Sequence, residues 1–476
     1  MNRSAALYLP VLLLAIAMLL LSLNSCGNNT SSGGTTPPPS PKIKHVVIIF
    51  QENRTPDNLF HDPVLMANGA DIVSSGTNSL GLPVQLTPTS LGVDYDLSHA
   101  HSAFVAMYDG GKMDGADHVP ISCAKGATNC PPPNAQFMYV QASDVGPYFQ
   151  MAEQYTFGDR MFQTNQGPSF PAHQFIFSGT SAPTATSNLF VADNAQGVPG
   201  AGNNTGCTAP PEEFVYLIDP FGAESSTIYP CTEHPALSDK LDANGITWRY
   251  YTPSAGSLWT APNAIQHVCG PNATPPNATA CTSLDFMNNV VFYSTQDPAP
   301  ILTDIAKNQL PAVSWVIPAG VNSDHAGSTA TTGGPSWVAS IVNAIGAGPY
   351  WSDTAILITW DDWGGWYDHV APPVINDGKS WGSGYAYGFR VPLIVISPYA
   401  KAGYISHVTH DFGSILNFTE KTFGLSSLGY ADAYADDLSD CFDFSQTPIT
   451  FQTISAPVGA DFFLNDKRPP TDPDDD

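Results

Sequence analysis

Four oxygen-bearing side chains follow two apolar runs that lie far apart in the chain. Glu52 and Asn53 come after residues 43–50 (IKHVVIIF), and Asp361 and Asp362 come after residues 355–360 (AILITW). Both runs are rich in β-branched residues and nearly uncharged, with polar or Gly-rich turns at their ends, which predicts buried central strands. In an open α/β sheet, sites form beyond the carboxyl ends of the strands. Three carboxylates and an amide gathered there repel one another unless a positive charge sits between them. One divalent metal ion answers that need. Hard oxygen donors suit Mg, Ca, Mn or a mixed-ligand Zn or Fe site, and composition does not choose among them. Gly364 and Gly365 let the backbone bend sharply after the second pair, as a loop closing around an ion requires. A third segment, residues 166–171 (QGPSFP), holds one hydroxyl, Ser169, between two prolines. Read functionally, Ser169 is a nucleophile whose pKa is lowered by direct metal contact, so that it needs no His base. Read blandly, it is a turn serine. The G-x-S-x-G elbow of the α/β hydrolases is missing from this segment.

The elements that must position these groups alternate between strands and helices. Residues 311–318 and 391–397 are further apolar runs. Residues 336–345 have helical spacing and stop at Gly346, and residues 411–423 place Phe412, Ile415, Leu416, Thr419 and Phe423 on one face. Gly424 is positioned as a helix C-cap. This alternation predicts an α/β fold with a mostly parallel central sheet covered on both sides. Residues from about 180 to 310 are rich in Pro, Gly, Asn and Cys and read as a cap or insertion over the sheet.

Charged residues make up only 12% of the 476-residue chain, against roughly 25% for an average soluble domain. The net charge of −26 argues against nucleic acid as a partner, because phosphate backbones are gripped by Lys and Arg. It equally disfavours general adhesion to anionic membranes. Residues 1–26 read as an export signal: Arg3 precedes an uncharged apolar stretch that ends in Leu23-Asn24-Ser25-Cys26. That end resembles a lipobox, with Cys26 as the lipidated residue and the lipid as the sole membrane attachment. An uncleaved anchor and ordinary secretion remain alternatives, and each of the three exports the protein to the periplasm, the cell surface or beyond. Residues 27–41 read as a disordered linker, residues 42–466 as the folded domain, and residues 467–476 as a disordered acidic tail. Seven cysteines remain after Cys26. The close-spaced pairs Cys123–Cys130, Cys207–Cys231 and Cys269–Cys281 lie in loop-rich stretches, where disulfides would staple the chain, leaving Cys441 as a buried thiol.

Residues 43–60 (IKHVVIIFQENRTPDNLF), 167–171 (GPSFP), 359–373 (TWDDWGGWYDHVAPP) and 391–400 (VPLIVISPYA) together resemble the bacterial phosphoesterase family of phosphatidylcholine-type phospholipases C and acid phosphatases. Residues 96–99 (DLSH), 111–115 (GKMDG), 322–325 (NSDH), 435–438 (ADDL) and 442–444 (FDF) extend the likeness over most of the chain. The resemblance implies an alkaline-phosphatase-like three-layer α/β/α sandwich. It implies a metal held by Glu52, Asn53, Ser169, Asp361 and Asp362, and histidines around the phosphate at His99, His325 and His267. His369 and Arg54 are expected to support these groups from behind. Many family members carry Asp-Glu where this chain has Asp361-Asp362, and Thr where it has Ser169. The implied reaction is hydrolysis of a phosphate ester through a phosphoserine at Ser169, acting on a phospholipid head-group diester or a small phosphomonoester. Trp360, Trp363, Trp366 and Tyr367 could cage a choline head group or simply pack. Two rivals remain open. One is a sulfatase-like hydrolase of the same fold, although the GPSFPA segment lacks the Arg of a formylglycine motif. The other is a non-catalytic surface lipoprotein that binds a carbohydrate or protein partner.

Overall fold

The computed structural model describes residues 42–197, 204–327, 333–375 and 384–471. The signal sequence, Cys26, the linker and residues 472–476 lie outside the described residues. Nine strands form the main sheet: β1 (His45–Gln51), β2 (Thr156–Phe162), β3 (Trp248–Thr252), β4 (Val290–Phe292), β5 (Val313–Val316), β6 (Thr354–Trp360), β7 (Arg390–Ile396), β8 (Tyr404–Ser406) and β9 (His410–Asp411). Their order is β4-β3-β5-β1-β6-β7-β2-β8, with β9 also pairing with β2. Every pairing is parallel except those of β7, which runs antiparallel to both β6 and β2. The mostly parallel sheet expected from the alternating pattern is therefore present.

Central strands β1 and β6 are buried almost throughout, as strands covered on both faces must be. Each apolar side chain so buried stabilises the fold by about 1.5–3 kcal/mol. Phe50 packs edge-on against His173 of α2 (Ser169–Ser178) and against Phe412 of α4 (Phe412–Phe423). Trp360 points the other way, edge-on to Tyr148 of α1 (Ala142–Gln154), which packs on α3 (Gly333–Gly346). Helices thus cover both faces, giving three layers. In α4, Asp411 caps the first turn by accepting from the Ser414 N–H, and Gly424 ends the helix at φ 67°.

Two expectations change. The stretch 180–310 does not lie wholly outside the sheet, because β3 and β4 extend it at one edge, with Trp248, Tyr250 and Tyr251 buried there. Abundant Pro and Gly around these short strands masked their aromatic pattern. The acidic tail does not lose order at residue 467. Arg468 donates to Asn322 Oδ1, and the Thr471 carbonyl accepts from the Gly320 N–H. The three disulfides form as paired from the sequence, and Cys441 is a buried free thiol.

Candidate active site

β1 and β6 are direct neighbours, in register from His45↔Thr354 to Gln51↔Trp360. Glu52 and Asp361 therefore leave the sheet side by side, and the Asp361 N–H donates to the Gln51 carbonyl at 2.9 Å. Asn53 turns the chain at φ 63°, a left-handed conformation that Asn tolerates better than most residues. Its N–H donates to Asp361 Oδ1 at 3.0 Å, and the same oxygen accepts from the Asp362 N–H at 2.8 Å. The Gly364 N–H donates to Asp362 Oδ1. A Cβ at Gly364 would stand 2.3 Å from the Asn53 carbonyl, and one at Gly365 would stand 2.5 Å from Leu97 Cβ. Both glycines also have positive φ. Only glycine allows the acid loop to lie this closely against the Glu52-Asn53 turn and the loop that carries His99.

Asp361 and Asp362 each have one oxygen held by backbone N–H groups and the other left over, while Glu52 has neither held. Both Glu52 oxygens, Asn53 Oδ1, Asp361 Oδ2, Asp362 Oδ2 and His173 Nε2 are buried without a hydrogen-bond partner among the described residues. Glu52, His173 and Asp361 each bring a ligand atom within 4.8 Å of the others. Burial, and then the neighbouring Asp361, Asp362 and Asp324, push the Glu52 carboxyl well above its ordinary range. Burial and Asp361 do the same to Asp362. Unpartnered buried acceptors are costly. Their convergence is what a divalent cation would relieve, so this donor set fits a metal ion.

Ser169 is the first residue of α2, a helix buried on every side that ends at Gly179 with φ 71°. Gly167 fits because a Cβ there would meet the Ala192 carbonyl at 1.8 Å. His173 lies one turn after Ser169 on the same helix face, with Nε2 3.6 Å from Glu52 Oε1 and 3.9 Å from Asp361 Oδ2. Gln163 ties the serine loop to the acid loop. Its amide donates to the Asn165 and Gly167 carbonyls, while its oxygen accepts from the Trp363 N–H.

His99 and His325 are brought together, with ring centroids 5.5 Å apart. His99 Nδ1 faces the Leu97 carbonyl at 3.0 Å and so carries the proton, leaving Nε2 to accept from Asn53 Nδ2 at 3.2 Å. His325 Nδ1 faces the Ala326 carbonyl at 2.7 Å. Arg54 is buried and gives its donors to the carbonyls of Asp324 and Leu91 and to Asn58 Oδ1. It also lies over Trp366. It therefore fastens the loop that bears His325, with four of its five N–H donors committed to these acceptors.

His267 departs from its expected place beside the phosphate. It is half-exposed, and its two ring nitrogens face Glu233 and Asp239 at 2.7 and 3.0 Å. Both ring nitrogens are thus committed to local carboxylates. His369 contacts Asp57, Asp71 and Arg390, a separate ionic cluster. Trp360, Trp363, Trp366 and Tyr367 are buried and pack, so they are not open to a choline head group.

Three contributors were not singled out from the sequence. His173 was visible in principle, at helical spacing from Ser169. Asp324 accepts from Tyr148 and Trp360, and burial raises its carboxyl to about 6. Gln163 acts through backbone contacts that leave no motif.

The fold and this centre define an α/β sandwich with a candidate metal-binding site at the carboxyl edge of its sheet. The chain belongs to the Phosphoesterase family, whose sequence profile matches residues 43–426. It is 27% identical over 335 residues to a non-hemolytic phospholipase C of Pseudomonas aeruginosa, covering 64% of this chain and 43% of that protein. It is 25% identical over 453 residues to a hemolytic phospholipase C of the same organism, covering 84% of this chain and 56% of that protein. The chain thus spans about half the length of these relatives. Among solved structures, a Vibrio parahaemolyticus protein of the alkaline phosphatase superfamily aligns with a TM-score of 0.35 at 10% identity, over 82% of this chain and 70% of that one.

Proposed function

We propose that this protein hydrolyses phosphate esters at the Glu52, Asn53, Ser169, Asp361 and Asp362 centre, through a phosphoserine at Ser169. The observation that carries the reading is the set of buried, unpartnered acceptors where β1 and β6 end. A divalent cation bound there would supply Lewis-acid polarisation and lower the Ser169 pKa. The protein's own groups do the rest. His99 orients Asn53, and Gln163 holds the serine loop against the acid loop. Ser169 releases its hydroxyl proton to solvent water, its oxygen attacks phosphorus in line, and the P–O bond to the leaving alcohol breaks. His325, protonated at Nε2, gives its proton to that alcohol. Water then forms the new P–O bond and gives its proton to His325, the P–O bond to Ser169 breaks, and the Ser169 oxygen takes a proton back from solvent water. The names of the relatives favour a phospholipid head-group diester over a small phosphomonoester. Export, with a lipid anchor at Cys26, belongs to the same reading and is supported by three disulfides suited to an oxidising compartment. Metabolic labelling with palmitate, lost on Cys26→Ala, tests the anchor.

The decisive assay compares p-nitrophenyl phosphate with p-nitrophenyl phosphorylcholine, with and without chelator. Wild type should cleave one or both, and chelation should stop it. Activity on neither substrate with any added divalent metal would return the protein to the class of non-catalytic binding proteins.

A further inference from the structure

The oxygen donors at the ends of β1 and β6 face a nitrogen whose tautomer the surrounding structure fixes. Tyr250 has one phenolic proton. It goes to the Trp259 carbonyl at 2.7 Å, because a carbonyl can only accept. The phenol oxygen is then left to accept from His173 Nδ1, 3.2 Å away. This puts the imidazole N–H on Nδ1 and the lone pair on Nε2. The ring cannot turn away easily, being fully buried between an edge-on Phe50 and a stacked Trp259. Its Nε2 lone pair therefore points toward Glu52 Oε1 at 3.6 Å and Asp361 Oδ2 at 3.9 Å, with no hydrogen-bond partner of its own. A cation between these three groups would satisfy all their electron pairs at once. Ligand atoms sharing one ion at ~2.1 Å stand roughly 3–4 Å apart, and both separations fall in that range.

We infer that His173 Nε2 is a nitrogen ligand of the cation held by Glu52 and Asp361, with Tyr250 setting its tautomer. The inference rests on the metal-centred reading above and extends its oxygen-only protein ligand set. Its consequence is selectivity. An imidazole in the donor set favours Zn, Co, Mn or Fe over Mg and Ca, which prefer oxygen alone. Tyr250 plays the part that carboxylates and carbonyls play behind other metal-bound histidines, and loss of such partners weakens metal affinity roughly 10–100-fold.

The test is equilibrium metal binding by the full chain, stripped with chelator and titrated with Zn(II), Co(II), Mg(II) and Ca(II). Wild type, His173→Gln, Tyr250→Phe and Glu52→Gln are compared, and the Co(II) visible spectrum is recorded. His173→Gln should lose at least ~10-fold in Zn and Co affinity and alter the Co(II) spectrum, while Mg and Ca affinities shift by less than about threefold. Tyr250→Phe should weaken Zn and Co by about 10-fold with its fold intact, and it decides the matter if His173→Gln fails to fold. Unchanged Zn and Co affinities with an unchanged spectrum in a folded His173→Gln would overturn the assignment. If Glu52→Gln weakens every metal while His173→Gln weakens none, the nitrogen ligand falls and the oxygen centre stands. If neither matters, the centre itself falls.

Discussion

Two buried acid clusters grow from the same pair of chain segments, and they solve the problem of buried charge in opposite ways. Asp57 follows Glu52 by five residues, in the short helix Pro56–Leu59, and Asp368 follows the Asp361-Asp362 pair across the Gly364-Gly365 bend. In the Asp57 cluster the cations belong to the chain. Arg390 grips Asp368 with two hydrogen bonds of 2.9 and 3.0 Å and stands 3.5 Å from Asp57. His369 adds contacts to Asp57 and Asp71. Burial acts to raise the Asp57 carboxyl, but His369 and Arg390 outweigh it and hold the group below its usual range. In the Glu52 cluster the same burial goes unopposed, and the carboxyl is driven upward. An acid cluster that carries its own cation is scaffold. One without a side-chain cation among its neighbours is where the proposed metal would act.

The largest expected effect is on turnover. Ser169→Ala should cost at least ~10³-fold in kcat against p-nitrophenyl phosphorylcholine, since the residue is proposed to form the covalent bond. Retention of full activity would leave hydrolysis by an activated water and remove the phosphoserine. Next comes the scaffold cluster. Arg390→Met strands two buried carboxylates and should destabilise the fold by about 3–5 kcal/mol in urea unfolding, with or without added metal. A change under about 1 kcal/mol would mean the two clusters do not differ as described. The receiving cluster should respond to metal instead. A cation at 100 times its Kd should raise the stability of the stripped protein by about 2.7 kcal/mol, and Glu52→Gln should abolish most of that gain in a thermal-shift measurement.

The smallest effect concerns His267, the histidine that lies elsewhere. Its hydrogen bond to Asp239, opposed by partial burial and assisted by Glu233, raises its pKa to about 9. A raised folded pKa stabilises the protonated state, so its contribution is full below about pH 6.5 and is lost as pH rises through about 9. His267→Ala should therefore destabilise below pH 6.5 by no more than about 1 kcal/mol, given its exposure, and match wild type above pH 9. Turnover at saturating substrate should stay unchanged; a large loss would bring His267 back into the reaction.

The strand ends and the GPSFP loop were legible in the sequence because their chemistry is local. An apolar run followed by acids means the same thing wherever it occurs, and the register between β1 and β6 turned two such runs into one centre. Helix limits at Gly346 and Gly424 could likewise be read from turn chemistry. β3 and β4 were hidden, being short strands set among Pro, Gly and Cys. His267 misled because a histidine in roughly the right region says nothing about which carboxylates will surround it.

By itself the sequence determined that acids would leave two buried strands at one edge of a mostly parallel sheet, with a serine loop to serve them. Alternation and burial of apolar residues dictate that much. Only the tertiary structure decided which charges are neutralised and which are left over. Arg390 reaches Asp57 and Asp368, while Tyr250 turns His173 toward Glu52. Those pairings join residues far apart in the chain through packing geometry, and no local pattern encodes them.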